Sequence, residues 1–167
     1  MGTIGIFFGS STGNTESAAE RIAAALGGGA SVNNIASSSA DEILSFDNII
    51  FGVSTWGAGD LQDDFEDFMG TLEEMDFSGK KVAVFGLGDQ ESYPDTFVDG
   101  MGIIAKAVAS AGGSVIGATS TDGYTFDSSE AVDGDKFVGL ALDEDNQSDL
   151  SQDRINAWAE ALKGQLA

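Results

Sequence analysis

Short apolar runs rich in β-branched and aromatic residues alternate along this chain with segments whose apolar residues recur every three or four positions. The runs span 3–8, a weaker 30–35, 48–53, 81–85, 114–118 and 137–142. The helical stripes are Ala18, Ile22 and Leu26; Leu61, Phe65, Phe68, Met69 and Leu72; Phe97, Met101, Ile104 and Val108; and Ile155, Trp158, Ala159 and Leu162. Strands alternating with helices predict a parallel sheet in an α/β domain, each stripe facing the sheet. Ile49-Ile50-Phe51 and Val82-Ala83-Val84-Phe85 are continuously apolar, as expected of strands covered by helices on both faces.

The punctuation agrees with this pattern. Gly27, Gly28 and Gly29, and later Gly112 and Gly113, end two helices, and Ser39 with Glu42 reads as a capping box for a short extra helix. A polar stretch over 119–136, with turn signals at Asp122-Gly123 and Asp133-Gly134, interrupts the last strand, which is expected to resume at Phe137. The 167 residues fit a single domain spanning 1–167.

Between the first run and the first stripe stands Ser10-Ser11-Thr12-Gly13-Asn14-Thr15, with no lysine. Hydroxyls of Ser10, Thr12 and Thr15, together with the unpaired N–H groups of a first helical turn, can hold a dianion at the positive end of the helix dipole. A nucleotide-hydrolysing P-loop needs Gly-Lys-Ser/Thr, whereas Asn14 follows Gly13 here, and the dinucleotide glycine fingerprint is absent. The expected ligand is therefore a phosphomonoester cofactor that is held and not hydrolysed.

Composition narrows the chemistry. Cysteine and histidine are both absent, which excludes cysteine nucleophiles, histidine bases, thiolate-held clusters and the usual zinc sites. Redox chemistry would have to come from a bound organic group. Seven basic against 28 acidic residues give a net charge of −21, which repels nucleic acid and anionic membranes and favours basic partner surfaces; the same charge also suits a saline setting. No run approaches membrane-spanning length and Met1-Gly2-Thr3 enters a strand without a basic leader, so a cytoplasmic protein is expected.

In an open α/β sheet, ligands sit beyond the carboxyl ends of the strands, so the loops over 9–15, 54–61 and 86–97 must be read together. The second carries Ser54, Thr55, Trp56, Gly57, Ala58, Gly59 and Asp60; the third carries Leu87, Gly88, Asp89, Gln90, Glu91, Ser92, Tyr93, Pro94 and Thr96. Each presents one large aromatic that no helical stripe can bury. Trp56 and Tyr93 converging on one crevice suit a flat conjugated ligand, and a phosphate cradle beside an aromatic pair points to FMN.

These loops, together with Ser120-Thr121-Asp122-Gly123-Tyr124 and the run from Phe137 through Leu142, Asp143, Glu144, Asp145 and Asn146 to Gln147, resemble the long-chain flavodoxins over essentially the whole chain. The resemblance implies a flavodoxin-like doubly wound five-stranded parallel sheet of order 2-1-3-4-5, with helices on both faces and an insertion in the last strand. The strand order and the place of the cofactor at its switch point belong to the family and are not readings of the spacing. It also implies low-potential one-electron transfer on the semiquinone/hydroquinone couple of noncovalent FMN. Ser10, Ser11, Thr12, Gly13, Asn14 and Thr15 would hold the phosphate, Trp56 and Tyr93 would flank the ring, backbone around Gly88 and Asp89 would meet its pyrimidine edge, and Asp145 would lie near the ribityl chain. Leu87 and Thr96 stand where relatives often place other polar side chains, and Gly57-Ala58 replaces a bulkier turn. The implied partners are basic redox-protein surfaces such as a ferredoxin/flavodoxin-NADP reductase, with photosystem I and nitrogenase reductase as further candidates; a monomer is expected, with no nucleic acid and no membrane insertion.

Arg21, Lys80, Lys81, Lys106, Lys136, Arg154 and Lys163 all lie outside the three loops, whereas Asp60, Asp89, Glu91, Asp95 and Asp145 lie in or near them. A fully reduced, anionic flavin is thereby disfavoured: one carboxylate about 10 Å away at a dielectric near 20 raises it by about 1.7 kcal/mol, or roughly 70 mV. Gly57 permits a backbone turn that would aim a carbonyl at the flavin N5. Two rivals share parts of this pattern. A phosphorelay receiver would need a carboxylate pair after the first strand and an acceptor aspartate after the third, where Gly9-Ser10-Ser11 and Ser54-Thr55 stand. An FMN-dependent NAD(P)H or quinone reductase would need a second nucleotide site, and no second fingerprint or basic loop is present.

Overall fold

The computed structural model describes residues 2–9, 13–56 and 59–166, with the side chain of Trp56 outside the description. In chain order the elements are β1 (Ile4–Gly9), α1 (Asn14–Ala25), β2 (Ser31–Asn34), a 3-10 turn (Ile35–Ser37), α2 (Ala40–Leu44), β3 (Asn48–Trp56), β4 (Asp60–Leu61), α3 (Asp63–Glu74), β5 (Lys81–Leu87), α4 (Asp99–Ser110), β6 (Ser114–Ile116), β7 (Thr119–Ser120), β8 (Val132–Asp133), β9 (Lys136–Phe137), β10 (Leu140–Leu142) and α5 (Ser148–Lys163).

The main sheet runs β10-β5-β3-β1-β2, all parallel, which is the expected 2-1-3-4-5 order. β1, β3 and β5 at its centre are apolar without alternation over most of their length because successive residues serve different cores, whereas the edge strand β2 is mostly polar and exposed at both ends. Ile6, Ile50 and Phe85 pack under α1 and α5 with Ile22 and Trp158, while Phe7 and Phe51 pack under α3 and α4 with Phe65, Met101 and Ile104. Ser39 caps α2 as its spacing predicts, accepting the Glu42 N–H at 3.2 Å.

β5 serves two partners. Its first half pairs with β6, Lys81 opposite Ser114 and Ala83 opposite Ile116, and its second half pairs with β10, Phe85 opposite Leu140 and Leu87 opposite Leu142. The insertion between them forms a separate antiparallel sheet, β7-β9-β8. Phe137 therefore belongs to the insertion, and the parallel strand resumes at Leu140, later than the apolar pattern predicts. Gly139 marks the crossing: a Cβ there would overlap the Val84 carbonyl oxygen, so the chain passes too close to β5 for any side chain.

Two helix starts also differ from the stripes. Leu61 has helical spacing to Phe65 but lies in β4, since Gln62 caps α3 by accepting the N–H groups of Asp64 at 3.1 Å and Phe65 at 3.3 Å. Phe97 is buried but precedes α4, because Val98 at the cap turns into the left-handed region with φ 49°. For a β-branched residue that backbone is strained.

Candidate cofactor site

The carboxyl ends of β1, β3 and β5 lie side by side at one edge of the sheet, and α1 begins at the same edge. Gly13 caps α1 with φ 91°, a left-handed conformation that glycine adopts without strain. Among the described residues no side chain caps this end. Thr15 is fully buried in that first turn, and its Oγ1 lies 2.6 Å from Ser54 Oγ on β3. Two residues assigned to the site from different loops are thus hydrogen-bonded to one another, joining the phosphate turn to the middle strand. Asn14 is exposed at the helix start. Ser10, Ser11 and Thr12 lie outside the described residues.

The second loop is the tip of a hairpin. Thr55 pairs antiparallel with Leu61, and Trp56 with Asp60, leaving three residues to turn the chain. Gly57 and Ala58 lie outside the described residues, and with them the carbonyl turn assigned to Gly57. Gly59 has φ 103°, and a Cβ on it would lie 3.0 Å from Asp99 Oδ2 and 3.4 Å from Thr96 Cβ and Cγ2. Thr96 therefore meets this hairpin through its hydrocarbon side. Thr55 points the other way from Ser54, as strand alternation requires, and its Oγ1 accepts the Gly100 N–H at 2.9 Å. Asp99 is 8% exposed, and its Oδ1 accepts the Glu130 N–H at 2.8 Å. Burial pushes the Asp99 carboxyl above its ordinary value, the Glu130 hydrogen bond opposing this and the Glu130 charge adding to it.

In the third loop Tyr93 is 45% exposed, and among the described residues no aromatic ring stacks on it. It is held in place by its backbone N–H, donated to Asp89 O at 2.9 Å. Leu87 is a core residue and contributes backbone alone to this rim. The Gly88 N–H is donated to Leu142 O at 3.0 Å, so the free donor of this bend among the described residues is the Asp89 N–H. Burial pushes the Asp89 carboxyl up, but hydrogen bonds from Ser92, Asn146 and Glu91 outweigh it and hold the group below the ordinary carboxylate value. Asp145, exposed between β10 and α5, is held above its ordinary value by partial burial and by the charges of Asp89, Asp143 and Glu144.

Folding adds what the sequence order conceals. Arg21 reaches from α1 to Glu144 Oε1 at 3.2 Å and Gln152 Oε1 at 3.0 Å, so one positive charge stands beside the acidic rim although it lies in none of the three loops. Asp143, fully buried, and Gln90, 1% exposed, are bonded to each other beneath the third loop. A polar residue following the Gly88-Asp89 bend was the one local signal for the latter.

A doubly wound α/β sheet whose carboxyl edge combines a helix N-terminus, a Thr–Ser hydroxyl pair and a half-exposed aromatic suits a phosphorylated planar ligand. The flavodoxin family model matches residues 6–158. The flavodoxin of Helicobacter pylori is 51% identical over 168 residues, covering 100% of both chains, and that of Synechocystis is 46% identical over 165 residues, covering 98% of this chain and 97% of its own. Among solved structures, Fusobacterium nucleatum flavodoxin bound to flavin mononucleotide superposes with a TM-score of 0.95 at 34% identity, covering 100% of both chains. The chain belongs to the flavodoxin family.

Proposed function

We propose that this protein binds FMN noncovalently in the crevice and carries single electrons at low potential between redox proteins. The observation that carries the reading is that the α1 N-terminus and the Thr15–Ser54 hydroxyl pair stand at the carboxyl edge of the sheet, where the loop after β5 presents a half-exposed Tyr93. The first-turn amides of α1 and the hydroxyls of the 10–15 segment would hold the phosphate; Tyr93 and Trp56 would flank the ring; the Asp89 N–H would donate to the pyrimidine edge; and Asp145 would border the ribityl chain. The bound flavin supplies one-electron chemistry, and the chain supplies position, exclusion of water and field. Asp89 stays ionised because its hydrogen bonds favour the charged form, so it keeps a negative charge at the rim and disfavours electron gain there.

The partners we assign are basic surfaces of redox proteins, of the kind a ferredoxin/flavodoxin-NADP reductase presents, drawn by the charge of −21. Among the described residues no helix is long and apolar enough to cross a membrane. The test is direct. Purified protein should be yellow with one FMN per chain, and NADPH should reduce it through an added basic flavoprotein reductase; rapid bleaching by NAD(P)H alone would make it a reductase instead. Protein that retains no FMN after reconstitution would overturn the reading of the site.

A further inference from the structure

Gln90 follows the Gly88-Asp89 bend and is 1% exposed, yet it lies on neither a helix nor a strand. Its amide is fully used. Nε2 donates to Asp143 Oδ2 at 2.9 Å and to Gln147 Oε1 at 3.0 Å; Oε1 accepts the Thr125 N–H at 2.6 Å and the Thr125 hydroxyl at 3.4 Å. Its backbone N–H also meets Asp143 Oδ2 at 3.2 Å. An amide with both donors and its carbonyl engaged, away from water, has one orientation and fixes the backbone that bears it.

The two ends of this linkage are of different kinds. On one side Asp143 Oδ1 and Asp89 Oδ1 are bridged by Asn146 Nδ2, at 3.1 Å and 2.8 Å, so the same network grips the bend from its other flank. On the other side Thr125 belongs to the insertion. Arg154 secures that stretch by placing its guanidinium 4.0 Å over the Tyr124 ring while donating to Gln147 Oε1 at 2.8 Å. The insertion also bonds the far part of this loop at Pro94, Asp95 and Phe97, but at the Gly88-Asp89 bend the two segments meet in the buried Gln90 side chain.

We propose that Gln90 is a positioning residue: it sets the Gly88-Asp89 backbone at the edge of the flavin and, through Thr125, makes that setting depend on how the insertion is seated. This rests on the FMN reading above. A protein partner that displaces the Gly123-Tyr124-Thr125 stretch would then change the electron affinity of the flavin without touching it, since the hydrogen bond at Oε1 couples the two.

The experiment compares midpoint potentials of the FMN-loaded wild type with Gln90→Met, which keeps length but removes every side-chain hydrogen bond, and with Gln147→Met, which removes one acceptor of the Gln90 amide together with the Gln147 bonds to Arg154 and the Gly123 carbonyl. Lys106→Ala is the control, because it breaks the exposed Lys106–Glu130 pair at another edge of the insertion. Gln90→Met should change the relative FMN affinity of successive redox states at least tenfold, a shift of about 59 mV for one electron. Gln147→Met should move it at least threefold in the same direction, and Lys106→Ala should not move it. Potentials within threefold of wild type in Gln90→Met, whatever its melting temperature, would overturn the proposal by reducing Gln90 to a structural role. Should Gln90→Met fail to fold, Gln147→Met decides by the same criterion. Wild type without FMN sinks the reading of the site; wild type with FMN and unmoved variants sinks this inference alone.

Discussion

Gly59→Ala tests whether the hairpin tip is held where the site needs it. At φ 103° an L-residue is strained, at a cost of about 1–2 kcal/mol. The new methyl would also stand 3.0 Å from Asp99 Oδ2 and 3.4 Å from two carbons of Thr96. Asp99 cannot swing clear, because its other oxygen is tied to the Glu130 N–H and the residue is buried. Crowding of this kind adds on the order of 1 kcal/mol, for a sum of about 2–3 kcal/mol. The proposed flavin site uses the hairpin in this conformation, so the cost is expected to appear in affinity. FMN should bind about 30- to 150-fold more weakly, read by fluorescence titration, with the melting temperature of the holoprotein lowered. Gly70→Ala is the counter-test, since this exposed α3 glycine has ordinary φ and open space around a Cβ; it should stabilise the protein by about 0.5–1 kcal/mol. A Gly59→Ala protein that binds FMN within threefold of wild type would refute the reasoning.

Thr15→Val deletes one hydroxyl of a part-buried pair and leaves Ser54 Oγ facing a methyl, so urea unfolding should show a loss of about 0.5–1.5 kcal/mol and FMN should dissociate faster; unchanged stability would mean that Ser54 has another partner. Acid behaviour separates two carboxylates. Asp89 binds its proton less tightly folded than unfolded, so its stabilisation is complete above the ordinary carboxylate pKa near 4 and is lost as pH falls below it. Asp145 is shifted the other way, and stability falls as pH rises through the window just above 4; Asp145→Asn should raise the melting temperature at pH 7 and leave it unchanged at pH 3, whereas an equal effect at both would refute the assignment. Gly139→Ala should prevent β10 from docking, seen as loss of the cooperative unfolding transition, because the added carbon meets a backbone carbonyl and not a movable side chain.

The strands and helices were legible because each answers to a local rule: the period of the stripes, the capping pair Ser39 and Glu42, the glycines after α1 and α4. The misplacements have equally local causes. Leu61 fits the helical period as well as it fits a hairpin, and periodicity cannot see that Gln62 takes the cap. Val98 breaks the helix with a backbone state its residue type disfavours, so no propensity announces it. In the site, hydroxyls at a helix start and aromatics in polar loops carried their chemistry openly. Gln90 and Asp143, 53 residues apart, and Arg21 and Glu144, 123 apart, did not, since a hydrogen bond between distant segments leaves no spacing to read.

The divided partnership of β5 bears on chain length. Ile116 and Leu140 stand opposite Ala83 and Phe85, two steps apart along one line of the sheet, so a single residue could span the gap that now holds the whole antiparallel excursion. The sheet edge is thus complete with or without it, and what the excursion contributes must lie in what it leans on: the α4 flank at Gly102, the amide of Gln90 and the third loop at Pro94, Asp95 and Phe97.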